Sequence, residues 1–203
     1  MTDNTPTPVP IDDSPAERIR AAVQRFGERA VAHRAANLLR GRNEGDEFLL
    51  WVGGRHGQGV LDGAPALYWP EVWGARALMT AWDDSAADAV VAGLENQAWR
   101  VREMCTKVCA ERKLDAAKAL ARHTTDAVAR VRAASARALA AVGDDSSAVA
   151  LTVMLRDPDK DVRRAAQQSL AALSERTAGT EHTAGAARTA DTARTAGTEH
   201  PSA

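Results

Sequence analysis

The sequence predicts an all-α protein, an α-solenoid of three to four helical hairpins behind an N-terminal helical cap, with disordered tails. Three observations carry that prediction. A Val-Arg pair returns at 101–102, 131–132 and 162–163, at intervals of 30 and 31 residues, and self-similarity at such a period marks stacked helical units. Five residues before each valine stands Asn96, Asp126 or Asp157, all residue types that start helices. After each valine the apolar positions follow helical spacing. Met104, Ala134 and Ala165 lie three residues on, and Cys109, Leu139 and Leu170 eight residues on, which places them on one helix face.

The elements follow in order. Residues 1–13, "MTDNTPTPVPIDD", carry prolines and acidic residues without an apolar stretch. They are expected to be a disordered tail and not a secretory signal. Residues 14–69 are expected to form an N-terminal helical region and a glycine-rich connector. Ser14 is a good N-cap, Pro15 suits a first turn, and Glu17 completes a capping box. Ile19, Val23, Phe26, Ala30 and Leu38–Leu39 continue at helical spacing, and Gly41 supplies the stop. "DEFLLWV", Asp46–Val52, is too short for periodicity to separate a helix from a buried strand.

The repeat occupies 70–175. Before each Val-Arg line runs a second apolar segment: "AADAVVAGL", "DAAKALARHT" and "SAVALTVML". Val90, Leu120 and Leu151 hold matching places within them. The period therefore spells helix, turn, helix, turn. Pro158 follows Asp157 at the expected first helical position, where its missing N–H costs nothing. A weaker match begins at "YWPEVWGARALMTAW", where Val72, Ala75 and Met79 fall on the expected face and Pro70 takes over the start signal. From 176 to 203 the chain reads "RTAGTEHTAGAARTADTARTAGTEHPSA", with "RTAGTEH" occurring twice. Ordering so little apolar surface gives no return for the entropy lost, so a disordered low-complexity tail is expected.

The lines "DPDKDVRRAAQQSLAALSER" and "ARVRAASARALAAVGDDSSAVALTVMLRD" closely resemble HEAT repeats of the short type found in phycobilisome-lyase-like and other bacterial repeat proteins. The likeness covers roughly Pro70 to Glu175, and the N-terminal third carries no such signature. It implies a ladder in which the turn aspartate and the arginine after the valine brace neighbouring units. By position that role falls to Asp126 with Arg132 and to Asp157 with Arg163, and Asn96 departs from the pattern. HEAT arrays are mostly scaffolds that hold another macromolecule, and the fold alone names no function. Some HEAT-like bacterial proteins are DNA glycosylases, but none of their motif residues can be placed on this sequence.

Candidate chemistry is sparse. The stretch "FLLWVGGRHGQGVLDGAP" has five glycines but lacks the lysine and hydroxyl residue of a phosphate-binding loop. A connector is expected there, with Arg55 and His56 available to a small polar pocket. Cys105 and Cys109 sit four apart in slots that elsewhere hold Ser135, Ala166, Leu139 and Leu170. Packing is expected of them rather than a disulfide or a zinc site, for which His123 is the sole nearby histidine. No catalytic, cofactor-binding or metal residues are predicted.

Trp51, Trp69, Trp73, Trp82 and Trp99 cluster mid-chain. They suit either an apolar plug over the open end of the solenoid or a recognition surface, and the apolar neighbours of Trp73 and Trp82 favour the plug. Basic and acidic residues balance at 26 and 27, but Ala98–Arg137 holds ten basic residues against four acidic ones. Within it Arg100, Lys107, Arg112, Lys113, Lys118, Arg122, Arg130 and Arg137 form a candidate binding stripe for an acidic protein or a nucleic-acid backbone. Arginine far outnumbers lysine in an alanine-rich chain, the composition of a high-GC bacterial genome. No run of about 18 apolar residues suggests a membrane span, and two thiols on one helix face, seldom in disulfide geometry, fit a reducing cytoplasm. The reading is a cytoplasmic, non-catalytic scaffold that binds another protein. Nucleic acid is the alternative partner, and a repeat-based lyase or glycosylase a further alternative. No cofactor and no small-molecule ligand are expected.

Overall fold

The first helical stretch turns back on itself at Gly27. In the computed structural model, which describes residues 8–177, Ser14 and Glu17 close the capping box at the start of α1 (Pro15–Phe26). Gly27, at φ +84°, then ends α1 and opens α2 (Glu28–Leu39). The continuous spacing from Ile19 to Leu39 is thus two helices, because a left-handed residue between them reverses the chain while leaving apolar positions in place. Residues 8–13, expected to be disordered, are ordered here. Val9 packs against the core, Asp12 pairs with Arg55, and the Asp13 carbonyl accepts from Arg18. Residues 1–7 lie outside the described part.

"DEFLLWV" is helical, as α3 (Asp46–Gly53). Its final carbonyls would be left without partners at a buried helix end. Arg18, buried on α1, supplies them: Nε donates to the Trp51 carbonyl at 3.1 Å and Nη2 to that of Val52 at 3.4 Å. Arg76 adds a third donor to the Val52 carbonyl at 3.0 Å. Cations at a helix C-terminus also complement its dipole.

The glycine-rich stretch is not an irregular connector, contrary to the expectation from sequence. It forms a further short helix, α4 (Arg55–Leu61), set against α3 through Gly54. Close approach explains the glycines. A Cβ on Gly57 would stand 2.7 Å from the Leu49 carbonyl oxygen, and one on Gly53 2.8 Å from the Trp73 ring.

Two layers of helices then alternate. One contains α6 (Ala87–Gly93), preceded by a 3-10 turn, α8 (Ala117–Arg122), continued by another, and α10 (Asp145–Met154). The other contains α5 (Trp69–Ala77), α7 (Trp99–Glu111), α9 (Ala129–Val142) and α11, which covers residues 160–177. In this second layer α5 packs on α7 and α7 on α9. Val101, Val131 and Val162 are fully buried, as are Val90, Leu120 and Leu151 opposite them. Full burial of one such side chain stabilises by about 1.5–3 kcal/mol, so these positions dominate the cohesion of the array.

Pro70 lies in the first turn of α5, and Val72 is buried as the fainter repeat required. The helix that partners α5 comes from far upstream. α2 lies along α5 and reaches α6, so it stands to α5 as α6 stands to α7. Gly74 permits that contact, since a Cβ there would come within 2.5 Å of the Ala35 carbonyl oxygen.

The ladder exists, but its rungs join different residues from those implied by the resemblance. Arg102 grips Asp126 at 2.7 and 3.0 Å, and Arg132 grips Asp157 at 2.7 and 2.8 Å. Each arginine also donates Nη1 to the carbonyl at the turn of its own unit: Asn96, Asp126 and, for Arg163, Asp157. An arginine therefore ties its own turn to the aspartate of the next unit. Asn96 needs no charge because the preceding unit has Trp73 where the others have arginine. Nor are these turn residues N-caps. Asn96 and Asp126 accept from the N–H two residues on, at 2.8 Å each, and Asp157 does so at 2.9 Å. The helices begin later, and Pro158 lies in the turn before α11. Arg176, assigned to the tail, belongs to α11 and donates to the Ala140 carbonyl at 3.1 Å. Residues 178–203 lie outside the described part.

Two outcomes follow from this packing. Gly74→Ala is expected to lower unfolding stability by about 1–3 kcal/mol, measured by urea denaturation, because backbone stands where the methyl would go. Asp157 is held below the usual carboxylate range, first by the Arg132 hydrogen bonds and against the opposing effect of burial. Its contribution is present above the unfolded value of about 3.9 and lost as pH falls through the lower folded value. Asp157→Asn is expected to cost about 2–3 kcal/mol at pH 7 and to flatten the loss of stability between neutral and acid pH.

Candidate interaction surface

α7 and α9 present a run of stacked cations and indoles along their N-terminal halves. The Arg100 guanidinium lies 4.3 Å from the Trp99 ring centre and 5.5 Å from that of Trp69, and Nη1 donates to the Tyr68 hydroxyl at 3.0 Å. Arg130, one unit on, sits 5.5 Å from the Trp99 ring centre. Below them Glu103 accepts from Lys107 at 2.8 Å and from Arg130 at 3.3 Å. The surface continues into a groove of about 330 Å³ bounded by Lys107, Arg130, Arg137, Asp159, Asp161 and Arg164. Arg164 pairs with Asp161 at 2.8 Å. Indoles and guanidiniums held this way lose little freedom when a partner docks, and both types are enriched in interface hot spots.

The basic stripe read from sequence does not form one surface. Arg100, Lys107, Arg130 and Arg137 share the α7–α9 layer. Arg112 is occupied elsewhere, donating to the Leu78 and Met79 carbonyls at 2.8–3.1 Å and stacking on Trp82 at 5.3 Å. It closes the C-terminal end of α5. Lys113 follows α7 with a φ of +51°, while Lys118 and Arg122 belong to α8 in the other layer. Arg122 pairs with Glu95 at 2.7 Å. Net charge along a sequence window mixes two layers because the chain crosses between them every dozen residues.

The tryptophans divide as well. Trp51 and Trp73 are core residues, Trp51 edge-on to Phe26 and Trp73 stacked with Trp69. Trp82 is half-buried and donates to Asp84 at 2.9 Å. Trp69 and Trp99 are half-buried within the cation-bearing surface. The five thus divide between the core and the half-buried surface rather than acting as one set. The signal that sequence reading missed is the adjacency of Trp99 and Arg100, repeated one unit later by Arg130.

Cys105 and Cys109 are buried and unpaired. Burial pushes the Cys105 thiol far up and that of Cys109 to about 12. Cys105 also packs where a Cβ on Gly93 would come within 2.5 Å of its sulfur. His123 is buried beside Thr106, Nδ1 lying 3.5 Å from Oγ1, and burial lowers its basicity. Among the described residues no cluster of three His, Cys, Asp or Glu side chains is arranged to hold a metal ion. None of the described helices is long and apolar enough to cross a membrane.

The alternating layers, the buried valines and the arginine–aspartate rungs coincide with the stretch that matches a family model, HEAT repeats, over residues 87–171. Residues 87–171 are HEAT repeats. No curated protein matches the chain. The HEAT array begins at α6, so α1–α5, including Trp69, precede the matched stretch, and the surface around Arg100 spans the junction between the two.

Thiolates, not thiols, attack disulfide reagents. Cys105 and Cys109 are therefore expected to stay unlabelled by a chromogenic disulfide in the folded protein and to react fully in denaturant, as read from thiol absorbance.

Proposed function

We propose that the protein is a non-catalytic HEAT-repeat scaffold of the cytoplasm that binds another protein across the α5–α7–α9 layer. The observation that carries this reading is the rigid Trp69–Arg100–Trp99–Arg130 stack, placed at one end of a mixed-charge groove. Its aromatic and guanidinium groups suit a partner segment bearing carboxylates beside apolar side chains. A nucleic-acid backbone is a poorer fit. Glu103, Asp159 and Asp161 stand among the cations of the groove and would repel phosphates. Of the remaining cations of the predicted stripe, Lys118 and Arg122 lie on α8, Lys113 follows the end of α7, and Arg112 donates to backbone carbonyls.

The test compares wild type with an Arg100→Glu/Arg130→Glu variant and with Trp99→Ala, all checked for an unchanged melting temperature. Captured partners should lose at least about tenfold in affinity with either variant, as truncating a hot spot costs roughly 2 kcal/mol or more. Retention on heparin or DNA should vanish at moderate salt. Salt-dependent retention abolished by the charge reversal would instead favour the nucleic-acid reading.

A further inference from the structure

A cavity of about 280 Å³ opens between α4 and α5, lined by His56, Val60, Ala64, Trp69, Trp73 and Arg76. Its walls are apolar. Trp69 and Trp73 stand nearly parallel, 23° apart with centres at 6.3 Å, so one side is an indole surface. Arg76 supplies the single fixed charge. One of its nitrogens donates to the Val52 carbonyl, and among the described residues no carboxylate forms an ion pair with it. Burial disfavours its protonated form, and the like charge of Arg18 adds to that effect. A guanidinium has five N–H donors in a flat fork, and a carboxylate satisfies two of them at once while cancelling the charge. Such a cation in an apolar cleft lacks a counter-ion.

The glycines of α3 and α4 explain how this cavity arises. Gly53 lets the Trp73 ring lie on the α3 backbone, and Gly57 brings α4 onto Leu49. Together they carry His56 and Val60 to the indole wall. A segment that suggested a phosphate loop by composition thus builds a small aromatic cleft with one cation. A dianionic phosphate would need more donors than this cleft offers, whereas a flat apolar acid with one charge matches both walls.

We propose that the α4–α5 cavity binds a small planar monocarboxylate, its carboxylate on Arg76 and its ring against Trp69 and Trp73. The site shares the Trp69 ring with the protein-binding surface but has its own cation in Arg76, and it revises the expectation that no small molecule binds. Full-length protein is titrated with benzoate and with indole-3-acetate, and in parallel with benzamide, by calorimetry and by tryptophan fluorescence. At least one acid is expected to bind saturably, with benzamide at least about tenfold weaker than benzoate when benzoate binds. Ala64→Trp places an indole in the cleft while keeping Arg76 itself and is expected to abolish binding at an unchanged melting temperature. Arg76→Gln should do the same where it folds, and where it does not, Ala64→Trp decides. Saturation by neither acid would overturn the proposal, as would equal binding of benzamide or undiminished binding to Ala64→Trp.

Discussion

Every long-range feature of this protein depends on one constraint: the helices of the α5–α7–α9–α11 layer must bury their repeat valines within the stack. The valines at 101, 131 and 162 are fully buried, and burial of that kind is non-directional, so by itself it leaves register undefined. The arginine–aspartate rungs supply direction. A desolvated ion pair adds little net stability, but a bidentate guanidinium that also holds the turn carbonyl of its own unit accepts one geometry. Packing supplies the cohesion and the rungs set the spacing.

The N-terminal region joins this array by borrowing rather than repeating it. α2 takes the place beside α5 that α6 takes beside α7, although α3 and α4 intervene in the chain. That insertion requires reversals at Gly27 and Gly54 and close contacts at Gly53, Gly57 and Gly74. It also leaves the carbonyl end of α3 inside the protein, where Arg18 and Arg76 satisfy it. The cost of burying two guanidiniums is offset by hydrogen bonds that no apolar side chain could make. The same arrangement leaves Arg76 facing a cleft where, among the described residues, no carboxylate pairs with it.

Surface chemistry emerges from the layer order. Because the chain alternates between layers, residues close in sequence such as Arg112 and Arg122 part company, while Arg100 and Arg130 meet across a unit boundary at Trp99. Tyr68 and Trp69 join them from α5. The resulting surface unites the array with the region before it, and Glu103 keeps its charge mixed.

The fold class, the helix count of each unit and the buried faces were legible in the sequence, because a thirty-residue period with apolar positions at i, i+3 and i+8 admits few other packings. The first capping box was legible for the same local reason. Rung partners were not: identical spacing fits an arginine reaching back to its own aspartate or forward to the next, and only the offset between stacked units chooses. The absence of an arginine at Trp73, which explains Asn96, was visible but had no meaning until that direction was known. The glycine-rich segment was read as a connector because glycine permits both loop and close-packed helix, and the neighbour that demands it, Trp73, lies twenty residues away. The candidate surface and cleft belong to tertiary structure alone. They depend on which side chains two layers bring together, and local propensity contains no information about that distance.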